Sequence, residues 1–193
     1  MRYAPRWNPV DGTSFRPDGV EVSLAPLLEL AEETEPDLAV HMDRTARLAL
    51  RFGLHLDLSP PLLDQVVRTA RVHDIGHEAL AGKPALLPIA TLVRSMNERW
   101  DGTGTPDGLS GSAIPLPSRI VTVCDAFDSL ANPPHDAEPR SPADAMDDLV
   151  DRSGTEFDPG VVEPFRDMVV DLEMAETHRP PAVTVGGRVG PRP

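Results

Sequence analysis

Histidine and aspartate occur in this chain where their side chains could meet. His73 and Asp74 are adjacent, and they close a run of Leu62, Leu63, Val66, Val67 and Ala70 whose apolar residues follow the helical period. Both can therefore project from the buried end of a helix towards a shared centre. His41 lies on the inner face of a preceding helix with Leu38, Thr45, Leu48 and Phe52, and Asp125 borders the apolar face of a later one. Imidazoles and carboxylates brought together suit divalent ions such as Fe, Mn or Zn. The same residue types also make hydrogen-bonded core histidines and salt-bridged aspartates, and Arg119 is a candidate partner for Asp125. A second His-Asp pair, His135-Asp136, falls in a proline-rich loop without helical context and reads as chance.

The elements that must position these groups read as helices. Apolar periodicity predicts one over about residues 38–52, which Gly53 is placed to stop. A second opens at Ser59-Pro60 and carries both His73 and His77 along one face. The prolines and glycine between Gly82 and Ile89 predict a loop, after which a third helix delivers Met96 and Asn97 to a glycine-rich stretch. A fourth runs from about Pro117 to Leu130 with Ile120, Val123, Cys124, Phe127 and Ala131 inside. Ser141-Pro142 opens a fifth that Gly154 closes, and Asp158-Pro159 opens a sixth in which Pro164 predicts a kink or restart. No useful strand alternation appears, so the expected fold is all-α, a compact helical bundle. It occupies residues 23–176, between an extended arm over 1–22 and a proline- and glycine-rich tail over 177–193.

Composition narrows the function. The 193 residues, 40 % of them hydrophobic, suffice for one domain with a real core. A formal charge of -13 without any basic cluster argues against direct nucleic-acid binding. No apolar stretch of about 18 residues is present, which argues against a membrane span and leads to a cytoplasmic expectation. The single cysteine, Cys124, reads as a small buried hydrophobe.

One long stretch is more specific. Glu98-Arg-Trp-Asp-Gly-Thr-Gly-Thr-Pro-Asp-Gly-Leu-Ser-Gly111 is followed by Ile114-Pro-Leu and by Asp125-Ala-Phe-Asp128, and preceded by Val72-His-Asp-Ile-Gly-His77. From roughly Ala25 to Leu172 the chain resembles the HD-GYP family, metal-dependent phosphodiesterases that open cyclic di-GMP. The resemblance implies a bundle of the HD/HD-GYP type and a metal held by His41, His73, Asp74 and Asp125. It also implies catalytic roles for Asp74 and for His77, which stands where the family has lysine. Gly104, Thr105 and Pro106 would shape the substrate mouth, and Arg140 is the remnant of an arginine-rich phosphate clamp. Asp37 matches the spacing of an extra ligand in some members but reads as an exposed helix-start carboxylate.

The departures from the family are chemical. Met96 and Asn97 replace two histidines that bind a second metal, and the stretch from His77 to Met96 is too short for the segment that supplies a third. Thioether and amide are poor ligands for such ions, so the expectation is one divalent metal per chain, Fe, Mn or similar, with impaired or altered activity. Thr105 replaces the family's central aromatic. Expected partners are cyclic di-GMP or another phosphate ester, and a diguanylate cyclase or other signalling protein at the Gly102–Gly111 loop. Complete retention of the first ligand set favours a working enzyme. Loss of the second favours a nucleotide-sensing or protein-interaction module.

Overall fold

The computed structural model describes residues 23–133 and 137–177. The expected N-terminal arm, the His135-Asp136 pair and the tail from residue 178 lie outside the described residues. The helices are α1 (Ala25–Thr34), α2 (Pro36–His55), α3 (Pro60–Val72), α4 (His77–Ala81), α5 (Leu87–Arg94), α6 (Leu116–Ala131), α7 (Pro142–Asp151) and α8 (Pro159–Thr177). No strand forms among the described residues, and the architecture is the expected all-α bundle.

Many of the prolines start these helices. Pro26, Pro36, Pro60, Pro88, Pro117 and Pro142 occupy first or second helical positions, where no backbone N–H is required and the fixed φ suits the helix. This corrects the loop expected over Gly82–Ile89. A short 3-10 turn at Pro84–Leu86 leads directly into α5, with Pro88 in its first turn. At α7 the expected cap is present, with Ser141 Oγ accepting from the Asp144 N–H at 3.1 Å.

Gly53 has a different role from the expected stop. Helix α2 runs through it to His55, and a Cβ at Gly53 would collide with the Leu63 side chain of α3. The glycine thus permits close approach of α2 and α3, while the chain turns beyond it at Asp57, φ 50°. Gly154 likewise does not end α7, which finishes at Asp151; it sits at φ 80° in the turn leading to α8. Helix α8 continues through Pro164 without a restart.

The main core lies among α2, α3, α6, α7 and α8. Phe165 of α8 meets Phe52 of α2 and Phe127 of α6 edge to face, with ring centroids 5.0 and 5.3 Å apart. Cys124 is fully buried there, and burial pushes its thiol far above the ordinary range, which makes it inert. A smaller cluster around Leu24, Val72, Leu80, Leu86 and Val93 seats α4 and α5 against the end of α3.

The second predicted helix breaks where its chemistry begins. After Val72 the chain tightens into a 3-10 turn, His73–Ile75, and reverses at Gly76 with φ 88° before α4 starts at His77. His73 and His77 are therefore on different elements, not one turn apart on a single helix. The break moves His73 and Asp74 off the helix cylinder and aims them at α2 and α6.

Candidate metal centre

Three elements converge on one point. Helix α2 brings His41, the turn after α3 brings His73 and Asp74, and α6 brings Asp125. His41 Nε2 lies 2.9 Å from Asp125 Oδ1 and 3.7 Å from Asp74 Oδ2. His73 Nε2 lies 3.3 Å from Asp125 Oδ1 and 3.4 Å from Asp74 Oδ2. Ligand atoms of His41, His73 and Asp74 all fall within 4.8 Å of one another, a span that one cation can bridge.

The outer nitrogen of each ring is already committed. His73 Nδ1 donates to the Ala70 carbonyl at 2.8 Å, which turns a buried Nε2 inward with no hydrogen-bond partner of its own. His41 Nδ1 donates to Asp128 Oδ2 at 2.8 Å, leaving its Nε2 at the centre. Imidazoles fixed in this way can present a lone pair to a metal, and a bound ion would give the orphaned buried nitrogen of His73 a partner. The donor set, two imidazoles and two carboxylates, fits a divalent ion.

Electrostatics favour positive charge at this point. Hydrogen bonds to Asp125 and then Asp128 push His41 up to about 9, against the opposing effect of burial. Burial opposes charge on His73, but Asp125 and Asp74 outweigh it and raise its pKa. Burial also opposes charge on Asp125, yet the two imidazoles hold it well below the usual carboxylate range.

Asp128 is the buried partner of His41, a contact the sequence did not disclose. It lies one helical turn beyond Asp125, is buried, and is gripped by the Arg44 guanidinium through contacts of 3.0 to 3.1 Å and by Asn132 Nδ2 at 3.0 Å. Its i+3 spacing from Asp125 was the available signal. Asp128→Asn is expected to weaken metal affinity by about 10 to 100-fold while leaving the four candidate ligands His41, His73, Asp74 and Asp125 unaltered. Competition with a metal-sensitive dye measures this, and unchanged affinity refutes the role.

Beside the centre opens a cleft of about 750 Å³. His77, Met96, Asn97, Thr105 and Pro106 line it with His73, Asp74 and Asp125. Arg140 does not. Its guanidinium pairs with Asp148 of α7 at 3.0 Å, because the segment after α6 folds back so that the Arg140 N–H reaches the Leu130 carbonyl. The arginine that does line the cleft is Arg94, at the end of α5. Asp37 is exposed in the first turn of α2, as read from the sequence. Arg119 pairs with Asp158 at 2.5 Å rather than with Asp125.

Gly104 acts behind the cleft wall rather than on its lining. A Cβ there would run into the backbone of Glu98 and Arg99, whereas Gly102, Gly108 and Gly111 are the residues at positive φ. The buried Glu98 carboxylate accepts from the N–H groups of Asp107 at 2.7 Å and Leu109 at 3.0 Å, so the loop folds around it. Gly104→Ala is expected to destabilise the protein by about 3 kcal/mol, since backbone rather than a flexible side chain must move. Urea unfolding tests this, and a loss below about 0.5 kcal/mol rejects the packing role.

Comparison with known proteins bears on the family and the fold. Residues 76–161 match a family model described as HD domain. A probable cyclic di-GMP phosphodiesterase of Vibrio cholerae is 29 % identical over 72 % of this chain and 42 % of its own length. A cyclic di-GMP phosphodiesterase of Thermotoga maritima is 25 % identical over 78 % of this chain and 49 % of its own. The chain thus spans less than half the length of these curated relatives. The solved structure of a cyclic GMP-AMP specific phosphodiesterase of Vibrio cholerae shares the fold, with a TM-score of 0.57, 21 % identity, and coverage of 80 % of this chain and 51 % of that one.

Proposed function

Because this chain carries an HD domain, we propose that it is an HD-GYP-like, metal-dependent phosphohydrolase module of the cyclic di-GMP phosphodiesterase class, working with one divalent ion. The observation that carries the reading is the convergence of His41, His73, Asp74 and Asp125 with both outer imidazole nitrogens engaged. A bound ion would supply Lewis-acid chemistry at phosphorus. Around it, Asp74 is half exposed at the mouth and can take a proton from an incoming water, while His77 can donate to a leaving oxygen when protonated. Thr105 and Pro106 shape the side on which an ester enters.

The names of the relatives support cyclic di-GMP or a related phosphate ester as the ligand. No helix among the described residues is long and apolar enough to cross a membrane, and a cytoplasmic signalling role is the reading consistent with that. The Gly102–Gly111 loop remains the proposed docking site for a diguanylate cyclase or another signalling protein. A second reading, a nucleotide-sensing module that binds without cleaving, draws support from Met96 and Asn97 on the cleft wall.

Metal content tests the proposal. Protein purified without a chelating tag and loaded with Mn or Fe is expected to hold about one equivalent per chain. Close to two tightly held equivalents overturns the one-metal reading, and none under replete conditions removes the phosphohydrolase reading altogether.

A further inference from the structure

Phosphate recognition in this cleft needs a cation, and the wall supplies one. Among the described lining residues Arg94 is the only lysine or arginine, and the other permanent charges are the carboxylates of Asp74 and Asp125. Its guanidinium is already forked onto a carboxylate. Nη2 donates to Asp107 Oδ1 at 2.7 Å and Nε to Oδ2 at 3.0 Å. Asp107 follows Pro106 in the glycine loop, and the hydrogen bond from its own N–H to Glu98 holds its backbone in place. The carboxylate is thus presented to Arg94 from a fixed position.

The pair is firm in geometry and weak in energy. The side chains are 39 % and 45 % exposed, and ion pairs so open to water contribute little. A guanidinium fork engages phosphate oxygens in the same two-point manner as a carboxylate, so a phosphate ester can take the place of Asp107.

We propose that Arg94 is the phosphate-recognising residue of this cleft, and that Asp107 is its resident stand-in, displaced when a phosphate ester enters. The inference rests on the reading of the cleft as a phosphate-ester site and deepens it. A divalent ion would be balanced in net charge by the carboxylates of Asp74 and Asp125, which leaves no surplus positive charge for an incoming anion, in a chain of formal charge -13. Arg94 meets that remaining demand. Asp107 in turn sets a threshold, since a ligand must bind the fork better than a tethered carboxylate does.

Calorimetric titration of the full, Mn-loaded chain tests this, with cyclic di-GMP and separately inorganic phosphate as probes. Arg94→Ala is expected to weaken both by about tenfold, and Arg94→Lys to recover only part of the loss because it lacks the fork. Asp107→Asn is expected to tighten both by about 2 to 5-fold, the gain expected from removing an exposed competing pair. The double variant should match Arg94→Ala alone, since without the arginine there is nothing to release. Metal content and thermal unfolding confirm that each variant remains folded and loaded. Wild-type affinity in Arg94→Ala, unchanged or weaker binding in Asp107→Asn, or an effect limited to cyclic di-GMP overturns the inference while leaving the proposed function standing. A wild-type protein that binds neither probe overturns both.

Discussion

Asp74→Ala is expected to strip the protein of its metal, from about one equivalent per chain to less than a tenth. The carboxylate lies between two imidazoles, with Oδ2 3.7 Å from His41 Nε2 and 3.4 Å from His73 Nε2. Losing a group that only orients a ligand costs about 10 to 100-fold in affinity, so losing a ligand costs more. Asp74 is the cleanest of the four to remove. Its side chain is 38 % exposed and packs no core, whereas that of His73 is only 2 % exposed. Elemental analysis after gel filtration, with circular dichroism as a check on folding, decides the matter. Unchanged metal content in a folded Asp74→Ala protein rejects the assignment.

Turnover of cyclic di-GMP is expected to be about 10²-fold or more below that of a family member with both metal sites, under the same metal-replete conditions. Two ions share the work of in-line attack, one at the nucleophile and the other at the leaving oxygen. With Met96 and Asn97 on the wall, the second task falls to side chains, and removing a single preorganised donor from a developing oxyanion typically costs about 10²- to 10³-fold. His77 and Arg94 are the lining groups able to take that role, and Arg94 is tied to Asp107 until a ligand displaces it. Chromatography of the linear product gives the rate. A rate equal to the two-metal enzyme, and abolished by His73→Ala, overturns this expectation and shows that one ion suffices.

The parts of the fold that were legible in sequence are those whose signals are local and repeated. Helices α2, α3 and α6 declare themselves through apolar residues at three- and four-residue intervals; the faces of α2 and α6 carry His41 and Asp125, and α3 leads into the turn that holds His73. What escaped were features set by distant partners. The numerical period runs on from His73 to His77, but a 3-10 turn and Gly76 at φ 88° intervene, and no pattern of apolar residues reports a change of chain direction. Arg140 was a candidate by its place after α6, yet its partner Asp148 is decided by how α7 folds back. The grip of Arg44 on Asp128 joins residues 84 apart and leaves no local trace. Gly53 was read as a terminus because glycine often ends helices, when its lack of a side chain serves the neighbouring helix.

The convergence of three elements on one point has a mechanical side. His41 and Asp125 are 84 positions apart, so an ion held by both would act as a cross-link, closing a long loop and tying together α2, the turn after α3, and α6. Such a clasp stabilises whatever it closes in proportion to the logarithm of metal concentration over its dissociation constant. In the proposed reading, His41, His73, Asp74 and Asp125 would thus have a mechanical use that does not depend on hydrolysis, as a rivet between three parts of the fold.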